Sequence, residues 1–300
     1  MAQFKHWIKA ARPRTLPLAL STIALGSIVA NHLASFSWSI FILAAITTTF
    51  LQILSNFAND YGDFEKGTDN ETRIGPERAL QSGAITKKAM KKAIALFIGL
   101  SLLSGIILLY IAYNRLGLQA ILTLFALGIA SIFAAILYTV GKKPYGYLGL
   151  GDLFVFLFFG LLGTLGTYYL HTGNLNILAF LPAISIGTFS AGVLNLNNMR
   201  DRLQDKENGK NTLAVKLGFQ GAKNYHYLLI ILGLISTILY AYLNQFTTTQ
   251  WLFTVSFPLF ILHLIKVVKI QQPIHFDPLL KQLVLSSLLF VLSFGIALLF

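Results

Sequence analysis

Nine stretches of this chain are apolar on every side and long enough to cross a bilayer. They run at roughly 15–32, 38–59, 91–113, 117–139, 153–171, 177–198, 224–244, 250–269 and 281–300. A hydrocarbon core of about 30 Å takes about 20 apolar residues per helix. Between crossings the backbone must return to an interface, because lipid satisfies no open peptide group. The pattern predicts an all-α polytopic membrane protein with nine transmembrane helices. The first run follows a short basic segment and ends without a small-residue cleavage site, so it reads as a retained helix and not a signal peptide.

The polar segments between the runs alternate sharply. His32–Phe36, Asn114–Leu116, His171–Leu175 and Gln245–Thr249 together hold one basic residue, Arg115. The other 22 of the 23 Lys and Arg, and all eleven Asp and Glu, lie on the opposite side. By the positive-inside rule that side is cytoplasmic, with the N-terminus inside and Phe300 outside. The expected location is the cytoplasmic (inner) membrane.

Composition agrees. Only 11% of the 300 residues are charged and 55% are hydrophobic, against about 25% charged in a soluble domain. The net charge of +12 follows the topology and gives no nucleic-acid surface. The absence of cysteine removes disulfides, thiolate metal sites and thiol nucleophiles. The six His are scattered, with no pair at metal spacing, and read as structural or interfacial.

Two polar stretches break the apolar pattern. Asn59-Asp60-Tyr61-Gly62-Asp63-Phe64-Glu65-Lys66-Gly67-Thr68-Asp69 closes the second run, and Asn197-Asn198-Met199-Arg200-Asp201-Arg202-Leu203-Gln204-Asp205-Lys206 closes the sixth. Nine of the eleven acids lie in these stretches or just after them. With Asp63 set on Asp201 the copies are 138 residues apart, an offset of four helices. This predicts two four-helix halves around a central cavity, plus a ninth helix.

Asn197, Asp201 and Asp205 stand at i, i+4, i+8 and share one helix face. Asn59 and Asp63 repeat the first pair, with Asp60 on the adjoining flank. The helix should end near Gly67, letting Asp69 turn back toward the site. Clustered carboxylates at a membrane helix end repel one another and are costly to desolvate. Bound Mg²⁺ relieves this, and it commonly bridges one or two carboxylates to a substrate phosphate. Two facing clusters suit a diphosphate leaving group, with Lys66, Arg73, Arg78, Lys142, Arg200 and Lys210 neutralising the remainder. The loops at about 60–90 and 200–223 are each expected to form a short surface helix that caps the cavity. Asp152 reads either as an N-cap of the fifth helix or as a polar contact to the substrate. Tyr138 and Lys142 read either as interfacial anchors or as site residues.

These motifs resemble the UbiA superfamily of intramembrane aromatic prenyltransferases. The resemblance is carried by Asn59-Asp60-Tyr61-Gly62-Asp63 with Asp69, by Asp201-x3-Asp205 and by Tyr138-x3-Lys142. Four segments are similar, more narrowly, to the 1,4-dihydroxy-2-naphthoate polyprenyltransferases. They are Ala11-Arg12-Pro13-Arg14-Thr15-Leu16-Pro17, Asn59-Asp60-Tyr61-Gly62-Asp63-Phe64-x-Lys66-Gly67-x-Asp69, Arg73-x-Gly75-Pro76-x-Arg78 and Asn197-Asn198-x-Arg200-Asp201-x3-Asp205-x3-Gly209-Lys210-x-Thr212-Leu213. Gly67 stands where the superfamily often has Asp, and Asp152 where that subgroup has Glu. The resemblance implies one catalytic domain over 1–300. It implies Mg²⁺ held by Asp60, Asp63, Asp69, Asp201 and Asp205, helped by Asn59 and Asn197. It implies a polyprenyl diphosphate whose phosphates meet Lys142, Arg200, Lys210, Arg73 and Arg78. An allylic cation would then be attacked by 1,4-dihydroxy-2-naphthoate, with Arg14 at the acceptor carboxylate or a phosphate. Alternatives are the same chemistry on another aromatic acceptor, and an ion-coupled transporter. A transporter is disfavoured by acids confined to one membrane face. The Asp-x2-Asp-Gly-x2-Ala-Arg signature of CDP-alcohol phosphotransferases is absent.

Overall fold

A computed structural model describes residues 3–33, 35–69 and 75–300, and among them no β-strand occurs. An amphipathic surface helix, α1 (Phe4–Ala11), precedes α2 (Leu16–His32) and α3 (Trp38–Glu65). Next comes α4 (Lys87–Leu137), whose 51 residues would reach about 75 Å as one rod, more than twice a bilayer core. It is broken at Gly117, where φ is 75° and ψ 171°. That conformation is open essentially to glycine alone. The expected loop at Asn114–Leu116 is therefore a one-residue corner between two crossings.

The fifth crossing combines α5 (Gly151–Val155), a π-helical stretch (Phe156–Gly166) and α6 (Thr167–Thr172). Then follow α7 (Phe180–Glu207), α8 (Leu213–Leu243), α9 (Phe257–Lys269) and α10 (Asp277–Ala297). Eight continuous helical segments among the described residues qualify as membrane spans, and the Gly117 corner makes the longest of them two.

Helix α7 is the most enclosed span. Phe189 stacks on Phe260 at 4.4 Å and meets Phe290 edge-on at 5.6 Å. Lipid tails are as apolar as leucine, so close approach and polar stitching hold such a bundle. A Cβ on Gly187 would lie 2.8 Å from the Gly160 Cα, and one on Gly26 would lie 2.3 Å from the Thr164 carbonyl oxygen. These contacts seat the π-helical stretch against α7 and α2. His226 of α8 and His263 of α9 form a buried hydrogen bond at 2.9 Å, the structural role expected of the histidines.

At the far end of the bundle from the acidic stretches, His171 is fully buried. Its Nδ1 accepts from the Ser37 amide at 3.2 Å, so Nε2 carries the proton toward Ser27 Oγ at 3.0 Å. Its carbonyl accepts from Arg115 at 2.8 Å, which satisfies the one basic residue on that side.

The two polar loops differ. Between Thr212 and Gly218 a short helix does form before α8 turns into its span, again at a glycine with φ 71° and ψ −179°. In 75–86 the chain makes turns instead of the expected helix, with Gly83 at φ 69°. Pro76 and the nearby glycines discourage helix there. Its Ala79, Leu80 and Ile85 pack with Ala10, Phe57 and Met90, which ties α1 and this loop over the end of α3.

Candidate active site

Helices α3 and α7 are each 28 residues long, about 42 Å, so both overrun the hydrocarbon core. Both end in the same motif. After α3, the Thr68 amide donates to the Asp63 carbonyl at 3.0 Å and the Gly67 amide to Phe64 at 3.1 Å. After α7, the Lys210 amide donates to the Asp205 carbonyl at 2.7 Å and the Gly209 amide to Lys206 at 3.2 Å. Gly67 and Gly209 take φ of 72° and 70°, as this left-handed helix cap requires. The shared cap pairs Asp63 with Asp205 and Asn59 with Asp201, one turn away from the Asp63–Asp201 register expected of the repeat.

The two caps meet. The Lys210 ammonium lies 3.6 Å from Asp63 Oδ1 and 3.9 Å from Asp205 Oδ1. Burial disfavours its charge, but the two carboxylates outweigh that and hold its pKa above the ordinary lysine value. Beneath it, Tyr147 donates from its hydroxyl to Asp63 Oδ1 at 2.8 Å and touches the Thr68 hydroxyl. Both Lys66 and Lys210 lie over the Tyr147 ring, at 5.4 and 5.2 Å. The Asn211 amide donates to the Tyr147 carbonyl, and Gln204 of α7 donates to the Thr68 carbonyl, both at 3.1 Å.

Below the acids opens a cavity of about 780 Å³. Asn59, Asp63, Asn197, Asp201, Asp205 and Lys210 line its polar end. An aromatic ladder lines its apolar wall: Tyr138 meets Tyr145 edge-on at 5.4 Å, Tyr145 stacks on Phe154 at 4.0 Å, and Phe154 on Phe158 at 6.0 Å. Gly146 and Gly151 leave room for the Tyr138 ring, since a Cβ on either would come within 3.0 Å of it. A smaller pocket of about 270 Å³ adjoins, lined by Lys9, Arg12, Arg14, Asp60, Glu77 and Arg78. Arg12, Arg14 and Arg78 face both spaces.

Several expected site residues lie elsewhere. Lys142 is exposed on the turn after α4 and is not part of the cavity wall. Lys66 is also exposed, held over Tyr147. Arg200 is buried behind the acidic face of α7 and turned toward carboxylates, not toward the cavity. Asp60 is buried against the smaller pocket, and Asp69 is buried with its carboxylate 3.8 Å from Arg78. Asp152 sits in the first turn of α5, whose N-cap is Leu150. It is buried, outside the cavity wall, and neither carboxylate oxygen has a hydrogen-bond partner. Arg73 lies outside the described residues. Conversely, the sequence pattern does not single out Tyr147, Gln204 or Asp277 as site residues. Only the glycines around Tyr147 in Tyr145-Gly146-Tyr147-Leu148-Gly149 hinted at a tightly turned segment there.

The carboxylate and amide donors at the polar end are oxygens, which suit a hard divalent cation. Among the described residues no three His, Cys, Asp or Glu side chains converge as a metal site.

The model of the UbiA prenyltransferase family matches residues 19–275. The chain is 46% identical to a 1,4-dihydroxy-2-naphthoate octaprenyltransferase of Haemophilus influenzae, covering 99% of this chain and 96% of that protein. It is 42% identical to the Escherichia coli protein of the same name, covering 98% and 96%. Among solved structures, an apo UbiA homologue from Aeropyrum pernix superposes with a TM-score of 0.67 at 15% identity, covering 96% of this chain and 98% of that one. A UbiA homologue from Archaeoglobus fulgidus bound to GPP and Mg²⁺ gives 0.65 at 16% identity, covering 98% and 99%.

Proposed function

The chain belongs to the UbiA prenyltransferase family, and from that premise we propose its reaction and the division of labour within its site. It transfers a polyprenyl group from polyprenyl diphosphate to 1,4-dihydroxy-2-naphthoate, releasing carbon dioxide and diphosphate and forming demethylmenaquinol. The observation that carries the site is the meeting of Asp63, Asp205 and Lys210 above an apolar cavity. Residues 1–300 act as one catalytic domain, with the loops at 60–90 and 200–223 as its cap. The acids and the N-terminus face the cytoplasm and Phe300 faces outward, as the distribution of basic residues supports.

Asp63, Asp201 and Asp205, helped by Asn59 and Asn197, would hold Mg²⁺ together with the diphosphate. Asp60 and Asp69 act from the flank through Arg78. Bound there, Mg²⁺ supplies Lewis-acid stabilisation of the departing diphosphate. Lys210 adds a fixed positive charge, and Arg14 and Arg78 meet anionic groups at the mouth. The allylic C–O bond breaks and its electron pair leaves with the diphosphate. The allylic cation faces the ladder of Tyr138, Tyr145, Phe154 and Phe158, whose π faces stabilise positive charge and exclude water. The naphthoate carbon bearing the carboxylate then forms the new C–C bond. Loss of carbon dioxide returns an electron pair to the ring.

The test is the mass of the product made by purified protein from dihydroxynaphthoate, a polyprenyl diphosphate and competing 4-hydroxybenzoate. The expected product is prenylated naphthoquinol alone. A prenylated benzoate as main product would overturn the acceptor assignment.

A further inference from the structure

Arg200 is the largest fully buried side chain of the protein, at 1% exposure, and the proposed mechanism gives it no ligand to bind. Its Nε and one terminal nitrogen donate to Oδ1 and Oδ2 of Asp201, each at 2.8 Å. The same terminal nitrogen donates to Asn197 Oδ1 at 2.8 Å. The other terminal nitrogen donates to Asp277 Oδ1. Neighbouring residues on a helix point in different directions, so Arg200 and Asp201 do not pair by default. The fork is held in place by Asn197 one turn back and by Asp277 on another helix.

Asp277 is the first residue of α10. The next turns of α10 bring Pro278, Leu280, Lys281 and Val284 onto the cavity wall. A single guanidinium therefore joins the acidic face of α7 to the entry of the helix that walls the cavity. Its one positive charge is shared by two carboxylates, so the Arg200–Asp201–Asp277 group keeps a net negative charge. Without Asp277, the guanidinium would neutralise Asp201 alone.

We propose that Arg200 and Asp277 are positioning residues. Arg200 fixes the plane of the Asp201 carboxylate, and Asp277 keeps that carboxylate anionic enough to draw a divalent cation while tying α10 to it. The inference rests on reading Asp201 as a cation ligand. It adds Arg200, which lies off the cavity wall, and Asp277, which reaches that wall at the start of α10. Arg200→Lys keeps the charge and loses the planar fork. Asp277→Asn keeps the shape and loses the charge.

The experiment titrates Mg²⁺, and separately Mn²⁺, into purified unaltered protein, Asp277→Asn and Arg200→Lys without substrate, following the thermal unfolding midpoint. The expected result is a cation midpoint about threefold or more higher in both variants, with unfolding in EDTA little changed for Asp277→Asn. Turnover by Asp277→Asn should recover at saturating Mg²⁺. A cation midpoint equal to that of the unaltered protein overturns the inference. So does an equal loss of stability with and without cation, which would mark a merely structural pair. If the unaltered protein itself shows no response to cation, the reading of Asp201 fails, and the inference falls with it.

Discussion

The Lys210 ammonium stands 3.6 Å from Oδ1 of Asp63, across a gap between helix ends that belong to different halves of the chain. Each half makes the same capped helix end, and the lysine that follows the second cap reaches the carboxylate at the first. A positive side chain already occupies the midpoint between the motifs and offsets part of their negative charge before any ligand arrives. The polar end of the cavity is preorganised for an anion accompanied by cations.

Replacing Asp63 or Asp205 with Asn should therefore remove turnover while leaving insertion intact. Each change deletes a ligand charge and unbalances Lys210, and a loss of at least about 100-fold in kcat is expected. The check is turnover of purified, monodisperse protein over a wide Mg²⁺ range. Near-normal kcat in either variant would remove the two-helix cradle.

The nine crossings and the Gly67 cap were legible because each depends on local pattern, an apolar run or a glycine placed after a helical acid. The partnership of Lys210 with Asp63 was not. Lys142 and Lys210 look alike along the chain, and only the packing of the Tyr145–Leu148 turn against Asn211 decides which lysine is enclosed. Arg200 sits in an acidic stretch and reads as a phosphate ligand until Asp277, from the far end of the chain, is seen beside it. Tyr147 is ordinary in composition and acquires its role through two long-range hydrogen bonds.

Tyr147→Phe isolates one of those bonds. The ring stays beneath Lys66 and Lys210, while Asp63 and Thr68 lose the hydroxyl. A buried hydrogen bond to a charged group contributes about 1.5–3 kcal/mol. Turnover should fall roughly tenfold or more, with the larger effect in the apparent affinity for diphosphate and Mg²⁺. Steady-state kinetics with both ligands varied decides it; unchanged constants would mean the hydroxyl does not orient Asp63.

Gly62→Ala tests why the acidic motif contains a glycine inside a helix. A Cβ there would lie 2.4 Å from Thr139 Oγ1 and 2.7 Å from the Thr139 carbonyl carbon. Alanine favours helix by about 1 kcal/mol over glycine, but overpacking costs about 1–3 kcal/mol. The clash with backbone should win, lowering the unfolding temperature and displacing Asp63 from Tyr147. Thr139→Ala should not rescue it, since the backbone carbon remains. A neutral or stabilising Gly62→Ala would show that α3 does not approach Thr139 this closely.

The pH response of Lys210 has a definite sign. Its pKa in the folded protein lies above the ordinary value of 10.5, so its ion pairs stabilise fully below that value and weaken only as pH rises beyond it. The stability deficit of Lys210→Met should stay constant between about pH 7 and about pH 10, then shrink at higher pH. Thermal unfolding of both proteins across that range is the measurement. A deficit that vanishes near neutrality would mean the lysine is not paired as described.

The absence of cysteine makes the orientation testable with single introduced thiols. Ser82 is exposed on the 75–86 turn, and Asn174 and Thr248 are exposed on segments at the other end of the bundle. The basic side chains are confined to the first face except Arg115, which the His171 carbonyl holds at 2.8 Å. A membrane-impermeant thiol reagent should label Ser82→Cys only in inside-out vesicles, and Asn174→Cys and Thr248→Cys only in right-side-out ones. The opposite pattern would put the diphosphate site outside the cell, away from the charge asymmetry that orients the helices. Labelling of all three thiols from one side would contradict the odd number of crossings that separates Ser82 from Asn174 and from Thr248.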